Sequence, residues 1–238
     1  MAKHPAITLT YFDARGRAQY LRYYLRYRDV QYDDDRVQLS ADFGAWLAIR
    51  GDRTIVGPFH KLPVLHWGGQ LIAETAVIQA FLHKTLGDQA QLSEEENLRH
   101  EMLSSSLQVD VMLPIGTLIW ADVAYAGVDL AALTKRTVER LRGHLVSLNR
   151  TLDEWQWLER AKQRPVMLAD CFLWEELSAA QHVFGDHLRI DETPTLARFY
   201  EECPAQALFA SILGDHPCQI TGRPAEAGAI AKIHELLG

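Results

Sequence analysis

Pro63-Val64-Leu65-His66-Trp67-Gly68-Gly69-Gln70-Leu71-Ile72-Ala73 is the stretch that decides the fold. Two short apolar-rich runs flank Gly68-Gly69, and paired glycines take the positive φ values of a two-residue hairpin turn at little cost. The reading is a β-hairpin opened by a proline, which supplies no ladder donor and is tolerated at a strand's first position. On the C-terminal side, Glu74 to Leu86 falls into helical spacing, with Val77, Ala80 and Phe81 on one side. On the N-terminal side, Gly51 to Pro58 reads as a polar loop, and Phe43, Trp46, Leu47 and Ile49 as a short helix before it. Val30 to Leu39 reads as a strand, and Asp33, Asp34 and Asp35 mark it as exposed or at an edge. Farther out, Ile7, Leu9 and Tyr11 alternate with Thr8, Thr10 and Phe12 as a first strand, followed by the loop Asp13 to Gly16. Ala14, Ala18, Leu21 and Leu25 then make one apolar face of a helix ending near Arg28. The order is β-α-β-α-β-β-α, a small mixed sheet with helices.

Past Gly87 to Leu92 the pattern changes. Ser93-Glu94-Glu95-Glu96 is a capping box with acidic residues where the helix dipole favours them. Helical runs follow over Glu94–Tyr125, with Pro114 as a kink, then Asp129–Arg160, Leu168–Phe184 and Pro194–Glu202, with no convincing strand. The expectation is an α+β chain of two domains, residues 1–87 holding the sheet and residues 93–238 forming an all-helical bundle.

The 238 residues, 48% hydrophobic and 23% charged, fit a globular chain able to bury a core. A net charge of -7 repels polyphosphate and argues against nucleic acid or an anionic membrane as partner. The longest unbroken apolar run, Leu113 to Ala121, is about half of what a membrane span needs, so no span is expected. Met1 to Thr10 lacks the continuous apolar core of a secretory signal. Cys171, Cys203 and Cys218 form neither an even disulfide framework nor a CxxC pair. A reducing, cytoplasmic location fits both observations.

Three places break local rules, as functional sites do. Tyr11 ends the first strand, where open α/β sheets bind ligands, although a half-buried aromatic is the plainer reading. Arg15, Arg17, Arg22, Arg26 and Arg28 crowd a short stretch of an acidic chain, with Arg15 and Arg17 in a first helical turn that disfavours cations. They point to an anionic partner, or else to pairing with Asp33 to Asp35. Lys61-Leu62-Pro63 makes a cis peptide plausible and leaves the backbone of Leu62 free to pair with a peptide ligand. Thr75, opening the next helix, offers a hydroxyl and backbone N–H groups to a carboxylate, and Glu74 can hold an ammonium; alone, these two residues are slightly better read as a helix cap and a dipole partner. His182 and His187 do not share a helix face as metal ligands would, and no metal, Walker, GxSxG or GxGxxG motif is present. Met112-Leu113-Pro114-Ile115 with Trp120 reads as core before it reads as a cavity lining.

Taken together, Tyr11-Phe12-Asp13-Ala14-Arg15-Gly16-Arg17, Lys61-Leu62-Pro63-Val64-Leu65 and Glu74-Thr75-Ala76 resemble the cytosolic glutathione transferases of the tyrosine type, most closely the sigma class. The resemblance implies a thioredoxin-like N-terminal domain, an all-helical C-terminal domain, a homodimer, a cytoplasmic role in detoxification, and glutathione as cosubstrate with no prosthetic group. It implies that the Tyr11 hydroxyl bonds the glutathione sulfur and favours the thiolate for attack on a hydrophobic electrophile. Arg17 then supports Tyr11 and the ligand, and Leu62 before a cis Pro63 pairs with the cysteinyl backbone. His60 and Lys61 lie at the glycyl end, and Glu74 and Thr75 recognise the γ-glutamyl group. A glutathione-dependent isomerase or peroxidase on the same site, or a non-catalytic carrier of this fold, are the alternatives. A cysteine-type oxidoreductase is disfavoured because the loop after the first strand has no cysteine.

The chain departs from that pattern in three places. Glu74 stands where glutamine is usual in the tyrosine-type classes. The stretch between Arg36 and Lys61 is longer than in the sigma pattern, leaving open whether Phe43 or Trp46 matches a glutathione-contacting tryptophan. Met167-Leu168-Ala169-Asp170 replaces a Ser/Thr-x-x-Asp box, and Met167 has no oxygen with which to cap; Asp170 reads as structural. Asp110 has a counterpart that reaches across the family's dimer only if the helix register allows it.

Overall fold

A computed structural model describes residues 5–215 and 219–238, so Cys218 and the first four residues of the amino-terminal stretch lie outside the described residues. The chain divides into two compact units, Met1–Arg99 with Ile212–Pro224, and His100–Ser211 with Ala225–Gly238.

The first unit is thioredoxin-like. Its sheet contains β1 (Ile7–Phe12), β2 (Asp33–Val37), β3 (Val64–Trp67) and β4 (Gln70–Ala73) in the order β2-β1-β3-β4. β1 runs parallel to β2 and antiparallel to β3, with Leu9 opposite Leu65 and Thr10 opposite Val64. The hairpin turn takes φ 59 at Gly68 and 84 at Gly69, both in the left-handed region that glycine occupies freely. β2 is an edge strand, as its three aspartates require; Asp35 accepts a bond from the Thr10 hydroxyl at 3.0 Å.

Around the sheet lie α1 (Gln19–Tyr27), α2 (Gly44–Ile49), α3 (Arg53–Val56), α4 (Thr75–Thr85) and α5 (Asp88–Gln91). Ala14, Ala18, Leu21 and Leu25 are all fully buried, as their spacing predicts. The helix nevertheless opens only at Gln19, because the Arg15 and Gly16 N–H groups bond the carbonyls of Gln219 (2.8 Å) and Ile220 (2.7 Å). The expected loop Gly51 to Pro58 holds α3, whose first turn is capped by Asp52 accepting from the Thr54 N–H at 2.8 Å. On α4 the buried face is Ile78, Leu82 and their neighbours, while Val77 is 54% exposed, so the apolar stripe is rotated by one residue from the expected one. Tyr24 and Arg28 on or beside α1 both bond the buried carboxylate of Asp88, tying α1 to α5.

The second unit is predominantly helical. α6 (Glu94–Ser106) enters it, and α7 (Leu113–Ala124), α8 (Leu130–Glu154), α9 (Trp157–Ala161), α10 (Leu168–Phe184), α11 (Pro194–Glu202), α12 (Gln206–Asp215) and α13 (Glu226–Leu237) follow. The Ser93 capping box forms in full, with the Glu96 N–H donating to the Ser93 hydroxyl at 3.2 Å and the Ser93 N–H to the Glu96 carboxylate at 3.0 Å. Between α6 and α7, Leu107–Met112 is a π-helical segment. A widened turn just ahead of Pro114 is how a helix absorbs the missing proline N–H. The 31-residue helix Glu94–Ala124 is long and apolar enough by length and composition to cross a membrane, its most apolar 18-residue window having mean hydropathy 1.4 and being 39% buried. Counting only the unbroken run Leu113 to Ala121 overlooks this, because the charges crowd into the first turns. Leu103, Leu107, Val111, Ile115, Leu118 and Ile119 of this helix are buried in the protein.

The helix expected over Asp129–Arg160 is two, since Gln156 adopts φ 51 and breaks it between α8 and α9. Asp170 replaces the missing Met167 cap by its own reach. Fully buried, it accepts from the Met167 N–H at 2.8 Å, from Trp157 Nε1 at 2.8 Å and from Arg164 at 2.6 Å. The nearby Cys203 thiol is pushed up to about 12 by burial and then by the Asp170 charge, and it stays unreactive at neutral pH.

Candidate active site

The C-terminal ends of β1 and β2 set out the groups behind the site. Arg22 on α1, 1% exposed, donates through Nη1 to the Ala14 carbonyl at 2.7 Å and through Nη2 to the Phe12 carbonyl at 3.4 Å. It thereby grips both ends of the turn that leaves β1. Its Nε donates to Asp34 at 3.0 Å, and Asp34 also accepts from Arg36 Nε at 2.7 Å, while Arg36 Nη1 donates to Asp13 at 3.0 Å. One arginine of the crowded cluster is thus paired with the triple-aspartate strand, as the plainer reading expects, whereas Arg17 lies on a cleft wall.

Tyr11 packs its ring against Phe12, with centroids 5.4 Å apart, and lies 5.9 Å from the Arg22 guanidinium. Its hydroxyl accepts from the Arg17 N–H at 3.1 Å. Burial pushes the phenol upward, against smaller lowering by the Arg17 N–H and the Arg17 and Arg22 charges. The hydroxyl therefore keeps its proton at neutral pH and has that proton to donate. Gly16 makes room for it: a Cβ at this position, where φ is +32, would lie 2.5 Å from the Tyr11 oxygen.

Phe12 and Arg17, both in contact with Tyr11, line a cleft of about 340 Å³ together with Trp46, His60, Lys61, Leu62, Pro63, Glu74 and Thr75. Of the residues that the resemblance assigns to a glutathione site, Arg17, His60, Lys61, Leu62, Pro63, Glu74 and Thr75 lie on its wall and Tyr11 does not. Leu62-Pro63 is a cis peptide, as expected. Glu74 holds φ 69 and His60 φ 54, two non-glycine residues in a region that side chains avoid, a kind of strain that gathers at functional sites. Thr75 is buried and opens α4, so its hydroxyl and the first free N–H groups of that helix meet at one end of the cleft. Of the two open candidates, Trp46 lines the cleft, edge-on to Phe12 at 5.3 Å, and Phe43 does not. The sequence gives no signal for Gln219 and Ile220, whose carbonyls hold the loop from the other end of the numbering. Among the described residues no cluster of histidine, cysteine or carboxylate could hold a metal ion.

Residues 7–84 match the family described as Glutathione S-transferase, N-terminal domain. This part of the chain is similar to the N-terminal domains of glutathione S-transferases. The human hematopoietic prostaglandin D synthase is 38% identical over 80 residues, which are 34% of this chain and 36% of that protein. The chain therefore spans only about a third of the length of that relative. The probable glutathione S-transferase 5 of Caenorhabditis elegans is 25% identical over 178 residues, 73% of this chain and 77% of the relative. The structure of the Onchocerca volvulus Pi-class glutathione S-transferase superposes with a TM-score of 0.72 at 20% identity, covering 92% of this chain and all of that one. The fold is accordingly that of the glutathione S-transferases, and the residues lining the cleft described above all lie within the matched residues 7–84.

Proposed function

We propose that the chain is a glutathione transferase, adding the glutathione thiolate to a hydrophobic electrophile. The observation that carries the reading is the protonated Tyr11 hydroxyl, held by the Arg17 N–H at the edge of a cleft lined by both cations and a carboxylate. Glutathione has charges to match. Its glycyl carboxylate suits Lys61 and His60, its γ-glutamyl ammonium suits Glu74, and its γ-glutamyl carboxylate suits the Thr75 hydroxyl and the start of α4. The cis Leu62-Pro63 step offers the Leu62 backbone to the cysteinyl portion. The cysteinyl sulfur then faces the Tyr11 hydroxyl, which donates to the thiolate and lowers the cost of losing the thiol proton.

The sulfur lone pair forms the new carbon–sulfur bond, the electrophile's own displaced pair goes to its leaving group or to a π system that is then protonated, and the thiol proton leaves to solvent, so the step itself is balanced without a prosthetic group. Ultraviolet difference spectroscopy with glutathione across pH tests the reading. A thiolate band that forms well below the free thiol's range supports it, and a ligand bound as thiol overturns it.

Gly16→Ala should lower kcat/KM for conjugation by about tenfold, because the new methyl displaces the Tyr11 hydroxyl by the fraction of an ångström to which catalysis is sensitive. Steady-state kinetics beside a thermal melt separates this loss from unfolding.

A second reading, an isomerase using the same thiolate, is favoured by the likeness to the protein named hematopoietic prostaglandin D synthase. It differs in the fate of the sulfur, which leaves again instead of staying bound. We further propose a cytoplasmic homodimer with a role in detoxification. Cys171 and Cys203 are buried thiols, which suits a reducing compartment. Leu98, Met102, Val109 and Leu113 are exposed apolar side chains on one helix, the kind of stripe a second copy covers.

A further inference from the structure

Ile212–Pro224 belongs to the sheet-bearing unit, although the chain before and after it belongs to the helical one. Within it, Gln219 to Gly222 form a strap against the loop that leaves β1. The Gln219 carbonyl accepts from the Arg15 N–H at 2.8 Å, and the Ile220 carbonyl from the Gly16 N–H at 2.7 Å. The next N–H of that loop, on Arg17, donates to the Tyr11 hydroxyl at 3.1 Å. Two strap carbonyls thus fix the two peptides that come just before the donor to the phenol. Ile220 is buried, which seats the strap by apolar contact as well as by hydrogen bonds.

Gly222 sets how closely the strap lies. It holds φ +71, and a Cβ on it would lie 3.1 Å from the Ala14 Cβ and 3.2 Å from Leu39 Cδ1, tighter than side chains ordinarily pack. Ala14 has little room to yield, because it is fully buried and Arg22 holds its carbonyl at 2.7 Å. Neither Ala14 nor Leu39 lines the cleft. We propose that Gly222 is a positioning residue for the Tyr11 hydroxyl: by letting the strap lie against Ala14, it fixes the Gly16-Arg17 peptide whose N–H binds that hydroxyl and aims it at the sulfur. A side chain at this position pushes the strap outward, the two carbonyls withdraw from Arg15 and Gly16, and the Arg17 N–H loses its alignment. The inference rests on the glutathione reading and adds to it a residue from the far end of the chain.

The test is Gly222→Ala beside Gly222→Asn, the second carrying the same Cβ on a residue that tolerates positive φ. In both, kcat for conjugation should fall about tenfold, and the thiolate band of bound glutathione should move up by about one pH unit. Affinity for S-methylglutathione should stay within about twofold of the wild type, since the tripeptide's two ends keep their partners. Hydrogen exchange of the Arg15 and Gly16 amides should quicken about tenfold as their acceptors withdraw. Gly228→Ala on α13, where an added Cβ has open space, should leave all four readings at wild-type values. An unchanged thiolate band in both Gly222 variants, unchanged exchange of the two amides, or a loss of S-methylglutathione affinity as large as the loss of kcat would each overturn the assignment. A wild type with no thiolate band at any pH would instead remove the glutathione reading, and the inference with it.

Discussion

Tyr11→Phe is expected to cut conjugating turnover about a hundredfold while leaving the affinity for S-methylglutathione within about twofold of the wild type. Phenylalanine keeps the ring, and with it the packing on Phe12 and the contact with the Arg22 guanidinium. It removes the single hydroxyl that accepts from the Arg17 N–H and that, in the proposed mechanism, donates to the sulfur. Binding of the tripeptide through its two ends does not use that hydroxyl, so the loss falls on kcat. The thiolate band of bound glutathione should move toward higher pH, by about one unit for each 1.4 kcal/mol of lost stabilisation. Conjugation kinetics with a chlorodinitrobenzene, measured with the spectroscopic titration, reads both quantities on one preparation. Unchanged turnover would take Tyr11 out of the reaction.

Asp170→Ala should remove about 3–5 kcal/mol of folding stability, since breaking a buried ion pair by deleting one partner strands the other. Three donors lose their acceptor together: Arg164, Trp157 Nε1 and the Met167 N–H at the start of α10. The urea midpoint should fall accordingly, and a change of less than about 1 kcal/mol would show that water replaces the carboxylate. Asp170→Asn, which keeps the shape and part of the hydrogen bonding, should lie between the two.

What the sequence makes legible is what adjacent residues decide. The Gly68-Gly69 turn, the alternation in β1 and the Ser93 box follow from steric and hydrogen-bonding rules acting within a few positions, and each forms where it is read. The cleft is legible for the same reason, because the segments around Arg17, Leu62-Pro63 and Glu74-Thr75 each break a local rule. Val77 shows the limit: a run with apolar residues at several phases has more than one possible buried face, and packing on the sheet selects Ile78 and Leu82. The break at Gln156 has no glycine or proline to announce it. Helices α12 and α13 were not anticipated, and neither was the choice of Trp46 over Phe43, which depends on how a lengthened segment folds back over Phe12.

The carbonyls of Gln219 and Ile220 that receive the Arg15 and Gly16 N–H groups also impose an order on synthesis. As the chain leaves the ribosome, the strand bearing Tyr11 emerges long before the two acceptors that finish its turn. Until then those N–H groups have only water. A nascent or clipped chain can thus carry every residue that lines the cleft while lacking the two acceptors that hold the loop after β1.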